Sequence, residues 1–404
     1  MGTRTILQII AAAFSVLAVS GARTVPASAS PSCYEVVPMP RKIVGDVRSA
    51  PFCLSDCSGI VFLKDYGEAM ARNAEFLAEY IRDYTGISLD AEAVADLSGV
   101  GKGKIVLAVD ASSGIPEEGY SMEVSSDGVV VKGSSPAGVF YGIQTLRKAL
   151  PGVFSGGGKT ELPAVRIDDS PRFGYRGAHF DVCRHFFTVD EVKEYIDMMA
   201  LHNMNTLHWH ITDDQGWRVE IKRYPELVEK GSMRDETLVG HLNDRPEKYD
   251  GKPYGGWYTQ DEIRGIVEYA AERYIDIVPE VDLPGHMQAA LCAYPELGCT
   301  DGPYKVWTKW GVSEDVLCAG NDAVLDFLDG VFSEIMELFP SEYIHIGGDE
   351  CPKTRWEQCP KCQAKAAELG LEDDAASTKE QKLQSYVMKH VTEFLQSHGR
   401  KVIG

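Results

Sequence analysis

The chain has 404 residues, 44% of them hydrophobic and 25% charged, an ordinary globular composition with length enough for two domains and a sizeable core. Its 60 acidic residues against 40 basic ones give a formal charge of −20. No basic patch offsets that charge, so nucleic acid and other polyanions are excluded as partners and a neutral or small ligand is expected.

The first residues have the pattern of a signal peptide over 1–22: Arg4, then an almost wholly apolar run from Ile6 to Val19, then Ser20, Gly21 and Ala22. The run is too short for a comfortable membrane span, and no later stretch reaches about 18 uncharged apolar residues, so no span is expected once the signal is removed. The mature protein is expected to be exported. No Asn-x-Ser/Thr acceptor occurs, which favours a bacterial periplasm or exterior over a glycosylated eukaryotic setting.

Residues 33–170 form a small α+β domain in this reading. Met70, Ala74, Leu77 and Ile81 mark one face of a helix, and Lys104–Val109 is a strand. Residues 120–124 and 129–131 alternate around Asp127-Gly128 as a hairpin, and Pro136 opens a helix carrying Val139, Phe140, Ile143 and Leu146.

From residue 171 to 404 strands and helices alternate. Candidate strands are 175–182, 205–212, 275–281 and 343–348, and capping boxes are expected at Thr188 with Glu191, Thr259 with Glu262 and Ser377 with Glu380. A further helix should start after Asn321 and run to about Phe339. Each strand ends in ionisable residues: Asp181, Arg184 and His185; Asp213 and Asp214; Asp282 and His286; Asp349 and Glu350. Polar groups at successive strand ends indicate the active face of a parallel (β/α)8 TIM barrel rather than a doubly wound sheet, which would offer one switch point and a Gly-rich phosphate loop. Only residues 401–404 remain for a fifth strand, so about the first half of such a barrel is expected here.

Ten cysteines in an exported chain permit disulfides. Cys359-Pro-Lys-Cys362 is a lone CxxC; a loop-stapling disulfide, a zinc or redox site and free thiols are its three readings. His208-x-His210 has the form of a metallohydrolase pair, but it lies on the second strand where such pairs usually occupy the first. Packing and hydrogen-bonding support is the preferred role, and neither metal nor cofactor is expected.

Four segments occur in order: Arg176-Gly177 with Asp181-Val-Cys-Arg184-His185-Phe186; His208-Trp-His210-Ile-Thr-Asp213-Asp214-Gln-Gly-Trp217-Arg218; Asp282-Leu-Pro284-Gly285-His286; and His345-Ile-Gly347-Gly348-Asp349-Glu350. This series resembles that of glycoside hydrolase family 20, the β-N-acetylhexosaminidases, and Gly138-Val-Phe-Tyr-Gly142 resembles part of their accessory domain. The resemblance implies release of terminal β-linked N-acetylglucosamine or N-acetylgalactosamine from oligosaccharides or glycoconjugates. It implies a retaining mechanism in which the sugar's own acetamido oxygen is the nucleophile. Glu350 is then the general acid and base, Asp349 holds the acetamido N–H, His286 with Asp213 behind it tunes the acid, and Arg184 with Asp181 grips the sugar hydroxyls. Both members of the acidic pair can enter one pocket only if the strand has ended or bulged by Gly348.

The family's tryptophan-walled acetamido pocket lies after the acidic pair, and Trp356 is the one tryptophan between Cys351 and Gly404. Weak or absent activity of this C-terminally incomplete chain is therefore expected, with an inactive or sugar-binding remnant as the alternative. Trp209, Trp217, Trp257, Trp307 and Trp310 are expected in core or loop packing.

Overall fold

The computed structural model describes residues 32–45, 49–154, 161–300 and 302–404; the signal peptide read at 1–22 lies outside them. A first sheet contains β1 (Lys42–Gly45), β2 (Ile60–Leu63), β3 (Ala91–Val94), β4 (Lys104–Val109), β5 (Tyr120–Ser125), β6 (Gly128–Gly133) and β7 (Val165–Asp169), in the order β1-β7-β5-β6-β4-β2-β3. β5 and β6 are the expected hairpin, pairing Val124 with Val129. Helix α1 (Gly67–Thr85) buries Met70, Ala74, Leu77 and Ile81, and α2 (Pro136–Phe154) buries Val139, Phe140, Ile143 and Leu146. These stripes pack on each other and on the sheet, so one apolar core closes this half.

The second sheet is a partial α/β barrel. Five of its six strands, β8 (Gly177–Asp181), β9 (Thr206–Asp213), β10 (Asp276–Val281), β11 (Tyr343–His345) and β12 (Lys401–Ile403), are parallel and stand in chain order, while the short Gly216–Trp217 pairs antiparallel with β9. Helices α3 (Val189–Leu201), α4 (Gln260–Ala271), α5 (Asp322–Leu338) and α6 (Lys379–Ser397) cross from each strand to the next. Parallel neighbours require such crossovers, and every strand therefore delivers its C-terminal end to the same side.

Local signals account for most helix starts. Thr188 with Glu191 and Thr259 with Glu262 form complete capping boxes, and Asn321 caps α5. The third box is displaced by one residue, to Thr378 with Gln381. Asp374 explains the shift: its carboxylate accepts the backbone N–H groups of Ala376 and Ser377 at 2.8 and 2.9 Å, holding Ser377 in the preceding turn. Glu380, expected to complete the box, is buried instead and accepts a hydrogen bond from Gln363.

The two sheets meet at Arg176. Its guanidinium bridges Glu118 at 2.8 Å and donates to the Tyr141 hydroxyl at 2.9 Å, while Tyr274 packs its ring 5.3 Å from Phe140. Glu118, Asn203 and Tyr274, all at this junction, have positive φ.

Candidate active site

The strand ends converge on a cavity of about 610 Å³, and Arg184, Asp282, His286, Gly348 and Asp349 are among its lining residues. β11 has ended at His345 before the acidic pair begins. Gly347 and Gly348 then take φ of 59° and 108°, and Glu350 itself takes 46°. This sharp bend is what frees Asp349 and Glu350 from strand alternation. A Cβ on Gly347 would lie 1.8 Å from Asp282 Oδ1, so only glycine lets the bend approach β10 so closely. The Gly348 N–H fastens it there by donating to Asp282 Oδ1 at 2.9 Å.

Five of the six residues singled out in the sequence form a continuous polar chain. Asp181 Oδ2 lies 2.8 Å from Arg184, whose other terminal nitrogen is 2.9 Å from Asp213. Asp213 Oδ1 lies 3.3 Å from His286 Nδ1, and His286 Nε2 lies 3.5 Å from Glu350 Oε2. Asp349, the sixth, lines the same cavity. The Glu350 side chain is 59% exposed, whereas Asp213 is fully buried. From buried Asp213 the chain therefore leads through His286 to a carboxyl that an incoming molecule can reach.

Asp213 does not back the imidazole alone. Asp214 is equally placed, at 3.2 Å from His286 Nδ1, and is held by the backbone N–H groups of Gln288 and Ser313. Asp213 is shared more widely, since His210 Nε2 also meets it at 2.9 Å. Two adjacent acids gave no means of choosing between them from sequence. Burial disfavours charge on His286, but the two carboxylates overcome it and push its pKa up to about 11. Burial likewise opposes ionisation of Asp213, yet His210, His286 and Arg184 hold it well below the usual carboxylate range.

Asp282, which fastens the bend, is shifted in the opposite direction to Asp213. Burial pushes this carboxyl up to about 8 against the pull of His286 and the Gly348 N–H, and Asp349 and Asp213 add repulsion. His286 itself sits at φ 52°. Non-glycine residues in this region cost about 1–3 kcal/mol each, a strain that His286 and Glu350 both carry.

Beneath the rim lies a residue that sequence reasoning passed over. Glu280, inside β10, takes His208 Nε2 at 2.6 Å, His210 Nδ1 at 2.9 Å and His345 Nδ1 at 3.1 Å. Register explains the gathering: Glu280 pairs with His210 on one side and His345 on the other. Burial opposes its charge, but the imidazoles hold its carboxyl far below the usual range, while Asp213 and Glu280 push His210, itself disfavoured by burial, up to about 10. His210 is thus bonded to a carboxylate at each ring nitrogen, and both it and His208, expected as support, also line the cavity.

The tryptophans divide. Trp209, Trp217 and Trp356 are buried, as core packing requires, but Trp257 and Trp310 are 38% and 69% exposed. Expected as packing, Trp310 instead borders a second cavity of about 390 Å³ that also touches Arg184 and Gln215. None of the described tryptophans lines the larger cavity.

Comparison with known proteins agrees with this geometry. The family described as "Glycosyl hydrolase family 20, catalytic domain" matches residues 173–404, and "Glycosyl hydrolase family 20, domain 2" matches 33–170. A β-hexosaminidase of Porphyromonas gingivalis is 44% identical over 335 residues, covering 82% of this chain and 40% of the relative. One from Vibrio furnissii is 38% identical, covering 76% of this chain and 48% of the relative, so the chain spans less than half the length of either. Among solved structures, the family 20 β-N-acetylhexosaminidase of Streptomyces coelicolor superposes with a TM-score of 0.73 at 34% identity, over 92% of this chain and 66% of that one. The chain belongs to glycosyl hydrolase family 20.

Proposed function

We propose that the protein is an exo-acting β-N-acetylhexosaminidase that releases terminal N-acetylglucosamine or N-acetylgalactosamine from oligosaccharides or glycoconjugates with retention of configuration. The observation that carries this reading is the chain Asp213–His286–Glu350, whose His286 lines the cavity that Asp349 also lines. Glu350 protonates the leaving glycosidic oxygen and later takes a proton from water. Asp349 accepts the acetamido N–H and offsets the charge that develops as the acetamido oxygen closes on the anomeric carbon. His286, held by Asp213 and Asp214, positions Glu350 and supplies a fixed positive charge beside it. Arg184, braced by Asp181, donates to hydroxyls at the far side of the sugar.

In the same reading residues 33–170 are the accessory domain and 171–404 the first half of the catalytic barrel. The protein is exported and bacterial in this reading, its bacterial source supported by relatives from bacteria, and no helix among the described residues is long and apolar enough to cross a membrane.

A thiazoline mimic of the bicyclic oxazolinium should inhibit hydrolysis of an aryl N-acetyl-β-glucosaminide competitively. Asp349→Ala should lower kcat by about 100-fold or more, as loss of a charge-stabilising group does. Turnover indifferent to both the mimic and the substitution would overturn the mechanism. Binding of the sugar without turnover in the wild-type protein would replace the enzyme with a lectin-like remnant.

A further inference from the structure

Four thiols meet between the connections that follow β10 and β11 on the active face. Cys299 and Cys318 belong to the first connection; in the second, Cys359 caps the helix Pro360–Glu368 and Cys362 lies within it. Cys299 Sγ lies 3.7 Å from Cys362 Sγ, and Cys318 Sγ lies 3.7 Å from Cys359 and 3.6 Å from Cys362. All four sulfurs fall within 4.8 Å of one another, and three of the four residues are buried.

These distances have a simple meaning. A tetrahedron of sulfurs about 2.3 Å from a central zinc has edges of about 3.8 Å. A pair of disulfides would instead bring the sulfurs together two by two at about 2.05 Å, leaving each with one exclusive partner. Cys318 shows no such preference, being equally near Cys359 and Cys362. A polynuclear iron–sulfur cluster would spread the four sulfurs farther apart than they are.

The backbone is close-packed around the cluster, with Gly320 lying directly against the backbone of Lys361 and Cys362. A Cβ at Gly320 would lie 2.1 Å from the Lys361 carbonyl carbon, so glycine alone permits that approach. The CxxC at Cys359 and Cys362 thus has its missing partners in Cys299 and Cys318, which carry no such spacing and could not be paired with it from sequence.

We propose that Cys299, Cys318, Cys359 and Cys362 form a structural site for one zinc ion, closed by four thiolates. Each thiol gives its proton to solvent on binding, leaving a site of net charge −2. The ion staples the loop bearing His286 and Ser313 to the loop bearing Asp349 and Glu350. Along the same seam Trp356 donates to the Leu317 carbonyl at 2.8 Å and Arg355 meets Asp315 at 2.7 Å.

The test is metal analysis of the purified full chain expressed with zinc in the medium. About one zinc per chain is expected, with an X-ray absorption shell of four sulfurs at about 2.3 Å. Cys318→Ser and Cys362→Ser should each reduce the zinc content at least fivefold, whereas Cys292→Ser, outside the cluster, should leave it unchanged. Should the cluster variants not fold, titration of the wild-type protein with an organomercurial should release zinc in step with four thiols. A metal-free chain, whether its four cysteines are disulfide-bonded or free thiols, would overturn the proposal. So would iron in place of zinc, or zinc that survives loss of Cys318 and Cys362.

Discussion

Two sets of ionisable residues lie at successive levels along the same strands, and they are built in opposite ways. At the lower level Glu280 is 6% exposed and meets an imidazole from β11 and two from β9, so its charge is answered on several sides. At the upper level Glu350 is 59% exposed, touches His286 at 3.5 Å and sits in a left-handed backbone bend. Glu280, His208, His210 and His345 line the floor of the same cavity, but Glu280 spends its charge there on imidazoles of the fold. A strained, open carboxyl beside an imidazolium does the reverse, giving up stability for reach. The contrast separates a carboxylate answered within the fold from one left open to an incoming molecule, and substitution at each level should fail in a different observable.

The largest effect is expected at the upper level. Glu350→Gln keeps shape and hydrogen bonding but removes the transferable proton, and should lower kcat on an aryl N-acetyl-β-glucosaminide by about 1,000-fold. Its denaturation midpoint should stay near that of the wild type, because exposed substitutions change stability by about 0.5 kcal/mol or less. Retained turnover would erase the distinction between the levels.

Glu280→Gln should invert that pattern. His210 would keep its proton with one counter-charge gone from a buried layer, and breaking such a pair costs about 3–5 kcal/mol. Urea denaturation should show the loss directly. A variant of wild-type stability would mean that the imidazoles, not Glu280, organise the layer.

Between the two levels stands His286, whose protonation both carboxylates maintain. Asp214→Asn removes one of them and should bring the imidazole pKa down from about 11 toward its ordinary value. The variant's kcat/KM should then acquire an alkaline limb in the neutral range that the wild type lacks, with a loss of about tenfold at pH 8. Parallel pH profiles would assign the task to Asp213 alone.

Much of this architecture was legible from local pattern. Val124 and Val129 around a turn, Thr188 with Glu191, and Asn321 ahead of α5 each act over a few residues, so sequence spacing reports them. Ser377 misled because a competing local bond, from Asp374, operates over the same range. The residues that converge at the strand ends were visible because a parallel barrel sends those ends to one side whatever the details of packing. Glu280 was hidden for the opposite reason: its partners His208, His210 and His345 come from two other strands, and an acid within an apolar run gives no sign of them. Asp214 was masked by its neighbour, and Cys299 and Cys318 by their distance in sequence from the CxxC. Contacts made across strands and loops leave no period to read.

The smallest effect should come from Asp282, which joins the levels through Gly348. Its carboxyl titrates near 8 in the folded chain against an ordinary 3.8. Between those values the folded state holds a proton that the unfolded chain has released, so this residue makes stability fall as pH rises across that window. Asp282→Asn keeps the acceptor for the Gly348 N–H but cannot titrate. From pH 6 to 7 the wild type should therefore lose about 1 kcal/mol more than the variant, close to the limit for one proton per pH unit. Urea denaturation of both proteins at the two pH values measures the difference. Equal slopes would show that Asp282 is already ionised, as a partner of His286, and would move it from the neutral hinge of the bend into the charged chain that ends at Glu350.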